Sequence, residues 1–170
     1  MKIETERLIL RRMTEDDIPA LKEILQDEEV MYAYEHAFSD EEVFQWYKKQ
    51  INRYNENGFG LLAAVLKSSG KMIGQCGITY QNIGTKQVPE IGYLFQKEYW
   101  HCGFATEAAK ACKKYAFDNL GFTEIYSIIR DNNIPSQKVA ERNGMKICAT
   151  VIKHYYGLDM PHLVYRASSK

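Results

Sequence analysis

Glu90-Ile-Gly-Tyr-Leu-Phe95, followed directly by Gln96-Lys-Glu-Tyr-Trp-His-Cys-Gly103-Phe-Ala-Thr-Glu-Ala-Ala109, changes its hydrophobic period midway. In the first part Ile91, Tyr93 and Phe95 alternate with Glu90, Gly92 and Leu94, the two-residue period of a strand. In the second, Ala105, Ala108, Ala109, Cys112, Ala116 and Leu120 recur at three- and four-residue steps, so a helix opens near Gly103 with a face of small residues. Strand, glycine turn and helix start together make an anion site. The first backbone N–H groups of a helix lack internal partners and sit at the positive end of its dipole, so a phosphate docks there without a basic side chain. Gly103 and Ala105 keep the approach open, since a larger side chain would hold a bulky ligand off the backbone. An ordinary tight turn before a helix carries the same short pattern, so the wider sequence must separate the two.

A chain of 170 residues forms one domain with one sizeable core, here residues 1–170. Apolar residues at 45% and charged residues at 26% describe a globular protein. Lys plus Arg and Asp plus Glu number 22 each, a balance that provides no field for nucleic acid or an anionic membrane, and neither partner is expected. No apolar run approaches membrane length, and the polar start Met1-Lys-Ile-Glu-Thr-Glu6 lacks the apolar core of a signal peptide, so a cytoplasmic location is expected. Cys76, Cys102, Cys112 and Cys148 show no Cys-x-x-Cys spacing and are expected as free thiols. His36, His101, His154 and His162 form no paired ligand spacing, and no metal is expected.

Read in order, Ile3 to Arg11 is a strand, and Thr14-Glu-Asp-Asp17 caps a helix carrying Ile18, Leu21, Ile24 and Leu25. Ser39-Asp-Glu-Glu42 is a capping box that opens a second helix, which Asn57-Gly58 ends. Phe59 to Leu66 and Met72 to Tyr80 form two antiparallel strands, and Val88 begins the next. Glu124 to Arg130 is a strand; Asn133 caps a short helix with an early Pro135 and an end at Gly144. Met145 to Tyr155 and His162 to Ala167 close the chain as a hairpin around Gly157-Leu-Asp159. The sum is an α/β chain of mixed α+β type, with a central mostly antiparallel sheet and helices on both faces.

Tyr99-Trp-x-x-Gly103-x-Ala-Thr-Glu-Ala108 after a strand resembles the coenzyme A motif of the GNAT N-acetyltransferases, in particular the ribosomal-protein alanine N-acetyltransferase (RimJ/RimL-like) branch. Two further pieces match in order: Glu6-Arg-Leu-Ile-Leu-Arg11 is similar to that branch's first strand, and Asn133-x-x-Ser136 followed by Gly144-Met145 to its later elements. The family usually has glycine where His101 stands, and arginine or glutamine where Trp100 stands, so His101 narrows the pyrophosphate loop or adds a donor to it. The resemblance implies the same fold and an acetyl-CoA-dependent transfer to a primary amine by direct attack in a ternary complex. It places the cofactor's pantetheine arm along Glu90 to Phe95, with backbone groups near Leu94 and Phe95 facing the thioester, and Gln96 at the strand's end. It assigns pyrophosphate contact to His101, Cys102, Gly103, Phe104, Ala105 and Thr106, and contact with the arm to Asn133.

Acetyl transfer from a thioester to an amine requires a neutral amine, a polarised carbonyl, a proton for the leaving thiolate and alignment. Glu90 is the candidate base, because a carboxylate beside a covered cleft has its pKa raised into a useful range. The plain alternative is a solvated residue at a strand start after Pro89. Ser136 is the candidate donor toward sulfur, with Tyr126, Tyr155 and Tyr156 as substitutes; Asn133 as a cap and Ser136 in a first helical turn also need no ligand at all. Cys102 has the setting of a nucleophile without the His and Asx partners that would support it.

Between Gln26 and Gln45 stand seven acids, Asp27, Glu28, Glu29, Glu35, Asp40, Glu41 and Glu42, with no Lys or Arg. If they border the acceptor cleft, they suit a cationic amine; several equally serve as helix caps. Two other classes stay open: a non-catalytic acyl-CoA sensor, and an interaction subunit forming a homodimer through the aromatic hairpin Lys153 to Tyr165.

Overall fold

The computed structural model describes residues 1–34, 36–155 and 157–169, so Glu35, Tyr156, Lys170 and the side chain of Tyr155 lie outside the described residues. Eight strands and four α-helices follow in the order β1 (Lys2–Glu4), β2 (Leu8–Arg11), α1 (Ile18–Leu25), α2 (Asp40–Asn57), β3 (Leu61–Leu66), β4 (Met72–Ile83), β5 (Lys86–Phe95), α3 (Phe104–Asp118), β6 (Glu124–Arg130), α4 (Ile134–Arg142), β7 (Lys146–Tyr155) and β8 (Leu158–Ser168). They form one sheet of order β1-β2-β3-β4-β5-β6-β8-β7. Every neighbouring pair is antiparallel except β5 and β6, so the sheet is mixed and mostly antiparallel.

Alternation along the strands separates two cores. Leu62, Ala64, Ile91 and Phe95 pack with Ala108, Ala109 and Cys112 of α3 and with Val139 and Ala140 of α4. Leu61, Ala63 and Val65 pack on the other face with Leu21, Ile24 and Leu25 of α1 and Val43 and Tyr47 of α2. Alanine and cysteine on α3 let that helix lie close to the strands.

Several boundaries differ from the sequence reading. The expected first strand is two, β1 and β2, because Thr5 turns the chain: its backbone N–H donates to the Leu8 carbonyl at 3.0 Å and its Oγ1 accepts from the Leu8 N–H at 2.9 Å. Thr14 precedes a 3-10 turn, Glu15–Asp17, before α1 begins, and Pro19 sits in the first turn of that helix. β4 and β5 run on to a tip at Gly84, whose φ of 59° a hairpin turn requires. β8 starts at Leu158, earlier than the apolar pattern suggests. The capping box at Ser39 and Glu42 and the left-handed Gly58 end cap of α2 form as read.

The feature that creates a site is a split in the sheet. β5 and β6 are joined at a single register pair, Glu90 with Tyr126, whereas β5 stays paired with β4 all the way to Phe95. Side chains occupy the next ladder positions: Ser127 Oγ donates to the Ile91 carbonyl at 3.0 Å, and the Ile128 N–H donates to Glu90 Oε1 at 3.0 Å. With those groups satisfied by side chains, the two strands diverge without leaving them unpaired.

Candidate active site

A cleft of about 360 Å³ fills the split, its walls including Glu90, Gly92, Tyr93 and Leu94 of β5 and Ile128 and Arg130 of β6. Glu90 is half-buried in it. Burial pushes its carboxyl up to about 7, against the opposing pull of the Ile128 N–H and of the Lys153 and Arg53 charges. A carboxylate poised there exchanges protons at neutral pH.

Asn133 and Ser136 line the same cleft. Asn133 Oδ1 accepts from the Ser136 N–H at 3.2 Å, the cap of α4, and from Tyr32 Oη at 2.8 Å, which leaves the amide Nδ2 as its uncommitted group among the described residues. Ser136 is half-buried and its Oγ makes no hydrogen bond among them. Tyr93, which the sequence reading used only to mark the strand's alternation, reaches the same place: its hydroxyl donates to the Ser136 carbonyl at 2.8 Å. Burial raises the Tyr93 pKa, so the group stays a proton donor. Tyr126 lies elsewhere, its hydroxyl donating to Glu124 Oε2 at 2.8 Å and its ring packed with Val88 and Val164.

At the far end of β5 the chain makes a 3-10 turn, Lys97–Tyr99, and enters α3 through His101 and Gly103, both with positive φ (60° and 83°). No side chain caps α3, and the Glu107 N–H is the first to bond back, to the Gly103 carbonyl at 3.0 Å. The N–H groups of Phe104, Ala105 and Thr106 therefore have no helical acceptor, beside exposed His101, Cys102 and Gly103. Glu107 anchors this end to the turn between β1 and β2. Its Oε1 accepts from Thr5 Oγ1 at 2.6 Å and the Arg7 N–H at 2.8 Å, and its Oε2 pairs with Arg7 Nε at 2.7 Å. Arg7 Nη1 also donates to the Cys102 carbonyl at 2.9 Å, and its guanidinium lies 4.2 Å over the Phe104 ring. Phe95, Gln96 and Phe104 turn their side chains inward; Gln96 Nε2 donates to Glu23 at 2.7 Å and its backbone N–H to Ile73 at 2.9 Å. What this stretch offers a ligand is backbone from residue 101 to 106.

The acids between Gln26 and Gln45 sit elsewhere. Asp27 Oδ1 accepts from the Glu29 and Val30 N–H groups, Asp40 pairs with Lys22, Glu29 with Lys97, and Glu42 completes the α2 capping box. None of the six described acids lines the cleft, whose only carboxylate among the described residues is Glu90. Its cations are Lys49 and Arg53 of α2, Arg130 and Lys153. Lys49 and Arg53, four apart, with Trp46 three before Lys49, were visible as one helical face. Lys153 and His162 reach the cleft through the pairing of β7 with β8 and of β8 with β6, a long-range fact with no local signature. His162 is buried, with Nδ1 2.8 Å from the Met160 carbonyl; that bond makes Nδ1 the donor and leaves Nε2 as an acceptor, and burial lowers its pKa. No group of three or more metal-ligating side chains occurs among the described residues, and no helix of the described chain is long and apolar enough to cross a membrane.

A sequence profile of the acetyltransferase (GNAT) domain matches residues 7–146. The chain is 37% identical over 171 residues to the uncharacterized protein YkkB of Bacillus subtilis, covering 99% of this chain and 96% of that one. It is 30% identical to the uncharacterized N-acetyltransferase YnaD of the same organism, over 86% of this chain and 83% of that one. Among solved structures, a GNAT-family acetyltransferase from Bacillus anthracis superposes with a TM-score of 0.83 at 26% identity, covering 99% and 98% of the two chains. RimL, a ribosomal-protein α-N-acetyltransferase solved in complex with coenzyme A, shares the fold at a TM-score of 0.78 and 18% identity, covering 99% and 98%. Members of the family take their acetyl group from acetyl-CoA, which sets aside the reading as a non-catalytic sensor: the chain belongs to the GNAT acetyltransferase family and is an acetyltransferase.

Proposed function

We propose that the chain transfers an acetyl group from acetyl-CoA to a primary amine by direct attack within a ternary complex. The observation that carries this reading is the position of Glu90, half-buried in the split of the sheet with its pKa raised to about 7. The donor fits what surrounds it. Its pyrophosphate takes the free N–H groups of Phe104, Ala105 and Thr106, and its arm takes the edge of β5 that β6 has left, past Leu94. Asn133 Nδ2 is placed to hold that arm. Glu90, or water held by it, removes the proton that the attacking amine loses. An α-amine with a pKa near 8 is roughly a tenth neutral at pH 7, so a base of this strength suffices. Ser136 Oγ is the uncommitted donor for the departing sulfur, and Tyr93 Oη serves only by giving up its bond to the Ser136 carbonyl.

Steady-state kinetics with acetyl-CoA and amine both varied, following thiol release, test the reading. A ternary complex gives intersecting double-reciprocal lines. Parallel lines would point to an acyl-enzyme and turn attention to Cys102.

A further inference from the structure

The cleft has more donors than its own residues can use. Gln75 is fully buried in its wall, and Trp46 Nε1 donates to Gln75 Oε1 at 3.0 Å. An indole N–H can only donate, so the amide's orientation is fixed and Gln75 Nε2 is the free end. That nitrogen has no hydrogen-bond partner among the described residues. Leaving a buried donor unpaired is costly, so a ligand acceptor is expected there.

Charge points the same way. Lys49 and Arg53 lie one turn apart on α2, an unfavourable like-charge spacing, and neither they nor Lys153 form an ion pair among the described residues. Arg53 is half-buried, and its one hydrogen bond among the described residues is from Nη1 to Gln50 Oε1 at 3.1 Å. Two other cations beside the core do have carboxylate partners, Arg11 with Asp17 and Arg7 with Glu107. Glu90 feels Arg53 and Lys153 through space but forms an ion pair with neither among the described residues, and a single carboxylate offsets at most one of the three charges. A polyamine or aminoglycoside would bring further positive charge against Arg53 and Lys49. An anion relieves both the orphan donor and the repulsion. The cleft's 360 Å³ lies at the small end of ligand pockets and must also admit the acetyl end of the donor, which favours a small acceptor.

We propose that the acceptor is an aminocarboxylate, its carboxylate seated on Gln75 Nε2, Arg53 and Lys49 while its amine faces Glu90. The inference rests on the acetyl-transfer reading above and narrows its substrate class. The carboxylate belongs either to a free amino acid or to an acidic side chain near a peptide N-terminus.

The test uses the full chain, with acetyl-CoA binding first measured by calorimetry. Four groups of amines are then offered with acetyl-CoA and the products weighed by mass spectrometry: the α-amino acids, their α-amides, dipeptide amides with and without an acidic residue, and spermidine. The best carboxylate-bearing amine should exceed its matched neutral amide in kcat/KM by about tenfold or more, the worth of one charge-assisted hydrogen bond. Arg53→Gln and Lys49→Gln should each shrink that ratio toward one, chiefly through KM, with the Kd for acetyl-CoA unchanged; Lys49 is exposed, so its variant folds even if Arg53→Gln does not. Free amino acids ahead of acidic dipeptides would assign the α-carboxylate, and the reverse order a side-chain carboxylate. The proposal is overturned if amides or spermidine serve as well as carboxylates, if Lys49→Gln leaves the ratio unaltered, or if acetyl-CoA binds and no carboxylate-bearing amine is acetylated. Failure to bind acetyl-CoA would overturn the acetyl-transfer reading, and this inference with it.

Discussion

Glu90 holds two positions at once, one structural and one chemical. Its Oε1 satisfies the Ile128 N–H where the strands part, and its pKa is raised from an ordinary 4.5 to about 7 by burial. A carboxyl whose pKa is higher in the folded chain than in the unfolded one adds stability below about pH 4.5, and loses that contribution as pH climbs through about 7. Glutamine keeps the acceptor for Ile128 and carries no titrating proton. Glu90→Gln should therefore gain in stability relative to wild type between pH 5 and pH 8, by on the order of 1–2 kcal/mol once the full shift is discounted for solvent reaching the cleft. Thermal melts at the two pH values read this difference; an equal gap at both would mean that the carboxyl is not perturbed. At this scale the sequence pointed to Glu90 by its place on a strand and, through the resemblance, to Asn133 and Ser136, and all three line the cleft. Tyr93 stayed hidden for a physical reason. Tyr93 alternates onto the α3 face, and only the divergence of β6 opens that position to the cleft.

Among the elements, the entry to α3 carries the phosphate reading. Gly103 has a φ of 83°, which leucine adopts only under strain, and a Cβ there would sit 3.4 Å from Arg7 Nη2. Gly103→Leu should raise the Kd for acetyl-CoA by at least about tenfold, from a distorted helix start, while costing about 1–2 kcal/mol of stability. Calorimetry showing wild-type affinity in a folded variant would remove this helix from phosphate binding. The helix and its glycine were legible from the change of period at Gly103. Its anchor was not, since Glu107 meets Thr5 and Arg7 across 100 residues of chain, and Thr5 breaks the expected first strand to reach it. The extra length of β4 and β5 was likewise invisible, because Gln81 to Gln87 is mostly polar and held together by ladder bonds rather than by apolar alternation.

For the molecule as a whole, the sheet must stay rigid on one side of the cleft so that it can part on the other. Gly77 shows how close the rigid side is packed: a Cβ there would come within 2.1 Å of the Gly60 carbonyl oxygen and 2.7 Å of Leu61 Cα. Backbone cannot move aside cheaply between β3 and β4, so Gly77→Ala should destabilise by more than about 3 kcal/mol. Chemical denaturation checks this; a loss under 1 kcal/mol would mean that the strands separate more easily than their register implies. The mixed sheet with helices on both faces followed from element order and alternation. The split did not, because it depends on Ser127 and Glu90 replacing ladder bonds between segments 36 residues apart or more. Transfer at that split is the central claim, and the pH dependence of kcat/KM for wild type and Glu90→Gln on one amine acceptor tests it most directly. Wild-type kcat/KM should rise through an apparent pKa near 7 and again as the amine deprotonates, whereas Glu90→Gln should lack the first rise and fall tenfold to a hundredfold below wild type at pH 7.5. Profiles that superimpose would contradict the account and leave Glu90 a structural residue only.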